Sequence, residues 1–351
     1  METIQPRFTK AAILRSLNKP LIVDTVELPE KLDTGQVLVK VHVSGICGSQ
    51  IGEIKGVKGD DPFLPHLMGH EGCATVIDVG PGVQFVSKDD LVVLHWREGQ
   101  GIRSKTPIYK WNNEIVNAGW VTTFNSYAVV SENRCTPIPK NTDKEIAALF
   151  GCAITTGFGV IQNNANLKIG ESVVIFGAGG IGLNILQASK LVSAWPIIAV
   201  DLHDNRLDLA TKLNATHVIN GSREDSFTKI KEILGGNKLD VFVDNTGLPN
   251  VIENGYKLLN KNGRLILVGV PIKGSEISIN SLPLHFGKKI TGSHGGECIP
   301  YEDIPRLLNL INQGIFSAKE LITARYSLNN INNAIDAMIN GSTSGRIIIN
   351  L

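Results

Sequence analysis

From Glu171 onward the chain alternates short apolar segments with amphipathic segments of helical periodicity. Strands are predicted at SVVIF (172–176), IIAVD (197–201), DVFVD (240–244) and GRLILVGV (263–270), with a helix over GIGLNILQASKLV after the first. Alternation of this kind predicts an α/β fold, in which a doubly wound parallel sheet is covered by helices on both faces.

The glycine-rich sequence GAGGIG (177–182) directly follows the first of these strands and begins the first helix. In that context Gly177 permits a tight turn, Gly179 lets the backbone approach a pyrophosphate, and Gly182 lets helix and strand pack closely. Gly180 and Ile181 supply N–H groups at the helix N-terminus, which favours phosphate. The sequence therefore predicts a dinucleotide site, against the alternative of an ordinary glycine-rich turn.

The choice between NAD and NADP depends on two residues after the second strand. Asp201 lies 19 residues after Gly182, where a carboxylate binds both ribose hydroxyls of NAD and repels the 2′-phosphate of NADP. Arg206 could reach the adenosine ribose, or could serve that phosphate instead. We expect NAD, with NADP as the alternative.

The first 150 residues are β-rich, as in VLVKVHVSGICG, CATVIDVGPGV and DLVVLHW. We expect the charged, glycine-containing stretch 97–118 to form a large surface loop. Two amphipathic segments and the apolar run RIIINL follow residue 294, and the final run is expected to pack back onto the first domain. The predicted domains are thus 1–153 with 294–351, and 154–293.

Bulk properties narrow the class of protein. The 351 residues carry a net charge of +1 and 42% hydrophobic residues, which favours a globular protein and gives no indication of nucleic-acid binding. No apolar stretch is long enough for a membrane span, and no secretory signal is expected. Five widely spaced cysteines argue against a disulfide framework and favour a reducing compartment, so we expect the cytoplasm.

Three glycine-marked turns hold the residues with the most distinctive chemistry. GICGS (45–49) contains Cys47, GHEG (69–72) contains His70 and Glu71, and GCAITTG (151–157) contains Cys152. Two thiolates and an imidazole suit zinc, and three protein ligands leave a fourth position for water or substrate. Taken singly, each residue is more often a buried thiol or a core histidine. Together, and beside a dinucleotide motif, they predict hydride transfer at a carbon bearing oxygen.

In order and spacing, GICGS, GHEG followed by VGPGV, GC…TTG and GAGGIG resemble the zinc-dependent medium-chain alcohol dehydrogenases, within the medium-chain dehydrogenase/reductase superfamily. The resemblance covers nearly the whole chain and implies a Rossmann domain plus a β-rich GroES-like catalytic domain. It implies that Cys47, His70 and Cys152 bind the catalytic zinc, and that Glu71 lies close enough to ligate it transiently. It also implies that Ser49 takes the alcohol proton.

Further roles follow from the same resemblance. The substrate pocket would include Ser49, His95, Trp96 and Phe150. The cofactor would contact Val268, Gly269, Val270 and Ser293, and Arg346 matches an arginine that binds the pyrophosphate. His95 and His294 are candidates for carrying the proton onward, with a packing role as the alternative for each.

Three departures from the family pattern stand out. The stretch 95–120 lacks the four cysteines of a structural zinc lobe, so one zinc per chain is expected and packing must hold the lobe. Gln50 stands where an aspartate usually orients the zinc-bound imidazole, so ligand basicity should fall. Gly52 stands where many relatives have a proton-relay histidine, so the proton must leave by another route.

The sequence therefore predicts an NAD-dependent zinc alcohol dehydrogenase that converts a primary or secondary alcohol, with polyols and sugars included, into an aldehyde or ketone. The alternatives are a zinc-free enone or quinone reductase of the same fold and a non-catalytic NAD-binding protein. We expect a homodimer or homotetramer, with no nucleic-acid or membrane partner. Substrate identity and the preferred direction are left open.

Overall fold

The computed structural model describes residues 4–351 and divides them into two compact units. The first comprises the residues up to Cys152 together with Ile299–Ser342 and Arg346–Leu351. The second comprises Ala153–Cys298 and Thr343–Gly345. The sequence had placed the two domain boundaries at 153/154 and 293/294.

The first unit is built mainly of strands, with helices after β3 and β10 and near the C-terminus. Its strands are β1 (Phe8–Leu14), β2 (Ile22–Glu27), β3 (Gln36–Ile46), β4 (His66–Leu67), β5 (Gly72–Val79), β6 (Leu91–Leu94), β7 (Ile108–Trp111), β8 (Glu114–Asn117), β9 (Tyr127–Ser131), β10 (Cys135–Ile138), β17 (Ile322–Ser327) and β18 (Arg346–Asn350). Its helices are α1 (Gly48–Ile54), α2 (Lys144–Leu149), α8 (Pro300–Asn312) and α9 (Ile331–Ile339).

Two sheets make up this unit. One closes into a barrel in the order β1-β2-β7-β8-β4, and the other runs β10-β6-β5-β3-β18-β17, with β9 also paired to β3. The C-terminal strand β18 lies antiparallel to β3, with Ile347 opposite Ile46. The apolar run at the chain end therefore belongs to the second of these sheets, between β3 and β17, and its three isoleucines are buried.

The predicted surface loop over 97–118 was wrong in its second half. Residues 108–117 form the hairpin of β7 and β8, which the barrel needs in order to close. Asn112 and Asn113 at its tip both have positive φ, as a two-residue turn matched to strand twist requires. Trp111 is buried and donates its indole N–H to Asp24 at 2.8 Å. The pair Asn112-Asn113 was the available sequence signal for a hairpin turn. It is less distinctive of such a turn than the dipeptide Asn-Gly.

The second unit is the predicted doubly wound domain. Its strands are β11 (Val173–Phe176), β12 (Ile197–Asp201), β13 (His217–Asn220), β14 (Leu239–Asp244), β15 (Leu259–Leu267) and β16 (Lys289–Gly292). Its helices are α3 (Ala153–Gly159), α4 (Gly180–Leu191), α5 (Asp204–Lys212), α6 (Ser226–Ile233) and α7 (Pro249–Leu258), and a π-helical turn covers Val160–Ala165. The parallel order β13-β12-β11-β14-β15-β16 is the 3-2-1-4-5-6 order of dinucleotide-binding sheets.

Two bulk expectations can be compared with the structure. The five cysteines are all buried and none forms a disulfide. Among residues 4–351, no helix has both the length and the apolar character that a bilayer crossing requires.

Candidate functional site

The three glycine-marked turns meet at one end of the β3–β5 pair. Cys47 lies between β3 and α1, and His70 and Glu71 lie just before β5. Because β3 and β5 are antiparallel neighbours, these two turns share an edge, and the Gly45 N–H donates to the Glu71 carbonyl oxygen at 3.2 Å. Cys152 enters from the segment between α2 and α3.

Glycine is required at two of these turns for different reasons. Gly69 has a φ of +91°, and a Cβ there would lie 2.3 Å from the Thr123 hydroxyl oxygen. At Gly151 a Cβ would lie 2.2 Å from the Leu94 carbonyl oxygen and 2.7 Å from the Glu71 Cα. The backbone at Gly151 can therefore pack directly against Glu71. This close approach brings Cys152, the next residue, towards Cys47 and His70.

The resulting cluster fits a metal ion. The potential ligand atoms of Cys47, His70 and Cys152 all lie within 4.8 Å of one another, and the two sulfurs are 4.0 Å apart. Two sulfurs about 2.3 Å from one tetrahedral zinc ion would be about 3.8 Å apart. The His70 Nε2 atom is buried and has no hydrogen-bond partner within residues 4–351. The donor set and spacing thus suit zinc without rearrangement of the turns.

Charge at the cluster favours the metal-binding form of Cys47. The neighbouring Cys152 thiol, the His70 ring and the charge of Arg346 hold the pKa of the Cys47 thiol well below its usual range, against the opposing effect of burial. A thiolate is the form that ligates metal. Beside it, the fully buried carboxylate of Glu71 forms an ion pair with Arg346 of β18. The structure thus pairs Arg346 with Glu71, while its predicted contact with a pyrophosphate stays a prediction.

The first turn of α1 holds two further side chains that differ in exposure. Ser49 is solvent-exposed, two residues from Cys47. Gln50 is buried, and its amide contacts both the Cys47 backbone and the His70 ring. The exposed hydroxyl is available to a ligand, whereas the amide belongs to the support of the cluster.

The three other predicted pocket residues differ in accessibility. Trp96 is half-buried, whereas Phe150 and His95 are buried. His95 is hydrogen-bonded through Nδ1 to the Arg97 carbonyl oxygen (2.8 Å) and through Nε2 to the Thr136 hydroxyl (2.9 Å). Burial lowers the pKa of His95 to about 4, so the ring is neutral at physiological pH. Since both ring nitrogens are engaged within the fold, this geometry favours a packing role over a proton relay.

In the second unit, the glycine-rich turn has the conformation the motif requires. Gly177 has a φ of +97°, and a Cβ on Gly182 would lie 2.1 Å from the Gly177 carbonyl oxygen. A Cβ on Gly179 would meet nothing within 4 Å, so the turn is open on the side of Gly179. Gly180 and Ile181 form the first turn of α4. The N–H groups at this helix N-terminus are therefore positioned for a phosphate.

Asp201 ends β12 and links it to that turn. One carboxylate oxygen accepts the Ala178 N–H at 2.9 Å, and the other accepts the N–H groups of Leu202 (2.8 Å) and His203 (3.1 Å). Arg206 lies 3.5 Å from Asp201 Oδ1. The two residues from which the sequence predicted the cofactor preference are thus direct neighbours.

The carboxyl ends of β14, β15 and β16 complete the strand edge where ligands bind in such sheets. Val268 and Gly269 donate their N–H groups to the Asp244 carbonyl oxygen (2.8 and 2.9 Å), Val270 is exposed, and the Ser293 N–H donates to the Leu267 carbonyl oxygen at 2.8 Å. His294 directly follows Ser293.

Sequence reasoning missed a buried carboxylate at this edge. Asp244 accepts the N–H groups of Thr246 and Gly247, each at 2.9 Å, and the Thr246 hydroxyl at 2.5 Å. Burial raises the pKa of Asp244, although these hydrogen bonds act to lower it. The signal was the DNTG sequence after a predicted buried strand, because an Asp at that position can fold the following loop around itself.

A second group of potential ligands comes from α1, from β4 and from the segment that connects them. Glu53, Asp61 and His66 bring one atom each within 4.8 Å of the others. His66 Nε2 lies 3.0 Å from Asp61 and 3.8 Å from Glu53. Contacts within the group account for its arrangement, and the Glu53 side chain is 43% exposed.

Comparison with known proteins bears on both units. The model of the alcohol dehydrogenase GroES-like domain matches residues 33–140, and that of the zinc-binding dehydrogenase domain matches residues 180–313. The chain belongs to the zinc-dependent medium-chain alcohol dehydrogenase family. The predicted fold class, a Rossmann domain with a β-rich GroES-like domain, is thereby confirmed. Membership of this family also makes the chain an alcohol oxidoreductase.

Individual relatives match this chain over nearly its whole length. The S-(hydroxymethyl)glutathione dehydrogenase of Paracoccus denitrificans is 28% identical and the match covers 97% of this chain and 99% of that protein. A structure of an alcohol dehydrogenase zinc-binding domain protein from Burkholderia ambifaria superposes with a TM-score of 0.89 at 30% identity, covering 98% and 99% of the two chains. The benzyl alcohol dehydrogenase of Acinetobacter calcoaceticus gives 0.87 at 29% identity, with the same coverage.

Proposed function

We propose that this chain is an NAD-dependent, zinc-containing alcohol dehydrogenase that transfers a hydride between an alcohol and NAD. The observation that carries the proposal is the cluster of Cys47, His70 and Cys152, which supplies three ligand atoms of the type and spacing that suit zinc. The family supports the reaction class. The glycine turn at 177–182 and Asp201 support the dinucleotide.

Each element of the site has a part in this chemistry. Zinc, when bound, would act as a Lewis acid that acidifies the hydroxyl of the alcohol. NAD, when bound, would accept the hydride at its nicotinamide ring. Cys47, His70 and Cys152 would hold the metal, and Glu71 would stand beside it. The exposed hydroxyl of Ser49 would accept the alcohol proton, and would return it when a carbonyl is reduced.

The metal assignment predicts one equivalent of zinc per chain in the purified protein. Cys152→Ala should lower this to well below one equivalent, because two protein ligands hold zinc far less tightly than three, as the dependence of zinc sites on their full ligand set indicates. Elemental analysis after gel filtration makes the measurement. Cys73→Ala is the matched control, since that thiol lies in β5 outside the cluster and should leave zinc unchanged. Full zinc retention in Cys152→Ala would contradict the ligand set.

The cofactor assignment predicts a higher kcat/KM with NAD than with NADP. Asp201→Ala should lower the free energy of discrimination between NAD and NADP, calculated from the ratio of the two kcat/KM values, by about 2–3 kcal/mol. That is the range for a charged hydrogen-bonding contact. Arg206→Ala is the paired variant: it should lower activity with NADP more than with NAD, because its guanidinium is the cation nearest Asp201 that a 2′-phosphate could use. Equal kcat/KM values for the two cofactors in the wild type would contradict the predicted preference for NAD.

The substrate is proposed only as an alcohol, primary or secondary, with a polar one such as a polyol or sugar included. Trp96 is half-buried, with the Arg97 guanidinium 5.7 Å from its ring centroid, which gives an aromatic surface with a charged rim. The relatives act, by their names, on S-(hydroxymethyl)glutathione and benzyl alcohol. A panel of alcohols, polyols, sugars, aldehydes and ketones, followed by NADH absorbance, tests this. Inert, metal-free protein that still binds NAD would favour the non-catalytic alternative.

We further propose that the enzyme is cytoplasmic and forms a homodimer or homotetramer. Light scattering coupled to gel filtration measures the assembly, and a monomeric mass would contradict that part.

A further inference from the structure

The Gln50 side chain connects two parts of the metal cluster. It is 1% exposed, with Oε1 lying 2.6 Å from the Cys47 backbone nitrogen and Nε2 lying 3.0 Å from His70 Nδ1. A backbone N–H can only donate, so the amide oxygen must be the atom that faces Cys47. The amide NH₂ group is therefore the one that faces the imidazole.

This orientation determines where the proton of the neutral His70 ring resides. An amide NH₂ group only donates, so His70 Nδ1 must accept, and the ring proton lies on Nε2. Nε2 is the ring nitrogen left for a metal, and it is buried without a hydrogen-bond partner within the described chain. A metal needs the lone pair of that atom, which requires the proton to be on Nδ1 and donated to an acceptor.

We propose that Gln50 holds His70 in the tautomer that opposes metal binding, so that this residue limits how tightly the site retains zinc. The inference rests on the proposed zinc-dependent function. To support a metal-bound ring, the Gln50 amide must turn its oxygen towards Nδ1. Its NH₂ group would then face the Cys47 N–H, and two donors would oppose each other in a buried site. Gln50 can thus satisfy the Cys47 backbone or the metal-bound imidazole, but not both.

A carboxylate of the same length removes this conflict. In Gln50→Glu, one oxygen can accept the Cys47 N–H while the other accepts the His70 Nδ1–H. Outer hydrogen-bond partners of metal-bound histidines typically change metal affinity by about 10- to 100-fold. We therefore expect Gln50→Glu to bind zinc about 10- to 100-fold more tightly than the wild type, in competition with a chromophoric chelator at fixed pH.

Added negative charge could also strengthen zinc binding, and a matched variant separates the two causes. Glu53 lies one turn further along the same short helix. Gln50→Glu/Glu53→Gln has the net charge of the wild type but keeps the new hydrogen-bond acceptor. Retention of most of the affinity gain in this double variant supports the proposal. Loss of the gain would assign it to charge and overturn the proposal.

The tautomer itself can be measured without any variant. In metal-free wild-type protein, ¹⁵N chemical shifts of the His70 ring should report the proton on Nε2, and Gln50→Glu should move it to Nδ1. A wild-type proton on Nδ1 would overturn the inference, even if the protein binds zinc and oxidises alcohols. Absence of zinc binding in all variants would instead refute the proposed function, while the ring shifts would still decide the tautomer.

Discussion

Replacing Ser49 with alanine is expected to lower kcat by a factor of about 100 to 10,000, the usual contribution of a general acid–base group. Ser49 is exposed on the first turn of α1, two residues from Cys47, and its hydroxyl is the proposed acceptor of the alcohol proton. Because Ser49 is not one of the proposed zinc ligands, the zinc content and NAD affinity of Ser49→Ala should equal those of the wild type. Steady-state kinetics, elemental analysis and NADH fluorescence measure the three quantities.

Ser49→Thr is the matched control, because it keeps the hydroxyl and should keep most of kcat. The route of the proton beyond Ser49 is tested separately by Gly52→His, which should alter the pH profile of kcat more than its maximum. Wild-type kcat in Ser49→Ala at every pH would show that the proton leaves by another group. His95 is not expected to be that group, since burial keeps it neutral and both of its ring nitrogens are occupied.

Replacing Glu132 with alanine is expected to destabilise the first unit by at least about 3 kcal/mol, because three backbone donors lose a charged acceptor. The carboxylate is fully buried and accepts the N–H groups of Gln84 (2.5 Å), Phe85 (2.8 Å) and Ile102 (2.7 Å). It thereby ties the turn after β5 to the lobe that lacks structural-zinc cysteines. Urea denaturation measures the loss, and amide hydrogen exchange should show faster exchange in peptides containing these three residues.

Glu98→Ala is the control for Glu132. Its carboxylate is about half exposed and pairs with Arg103 and Arg134, so its removal should cost less than about 1 kcal/mol. Equal effects of the two substitutions would mean that the lobe is held mainly by its aromatic packing. That packing includes the Arg103 guanidinium, 4.1 Å from the ring centroid of Trp120, whose indole N–H donates to the Ser104 carbonyl oxygen.

The elements that were predicted correctly are those with local signals. The strands 197–201 and 240–244 of the parallel sheet, and the helix after GAGGIG, follow from apolar periodicity within windows of five to twelve residues. The sequence also indicated that Cys47, His70 and Cys152 come together, because metal chemistry restricts residue types and glycines mark the turns that carry them. The hairpin at 108–117 was missed, since its strands are short and its asparagine turn was read as part of a loop.

The sequence by itself determined the fold class, the dinucleotide turn and the residue types of the metal cluster, because each depends on neighbours close along the chain. Only the tertiary structure decided what supports them. Glu132 contacts residues 30 to 48 positions away, Arg346 reaches Glu71 from the last strand, and Gln50 meets His70 across 20 residues. Such contacts depend on which backbone donors and charges are buried together, and no local pattern encodes that pairing.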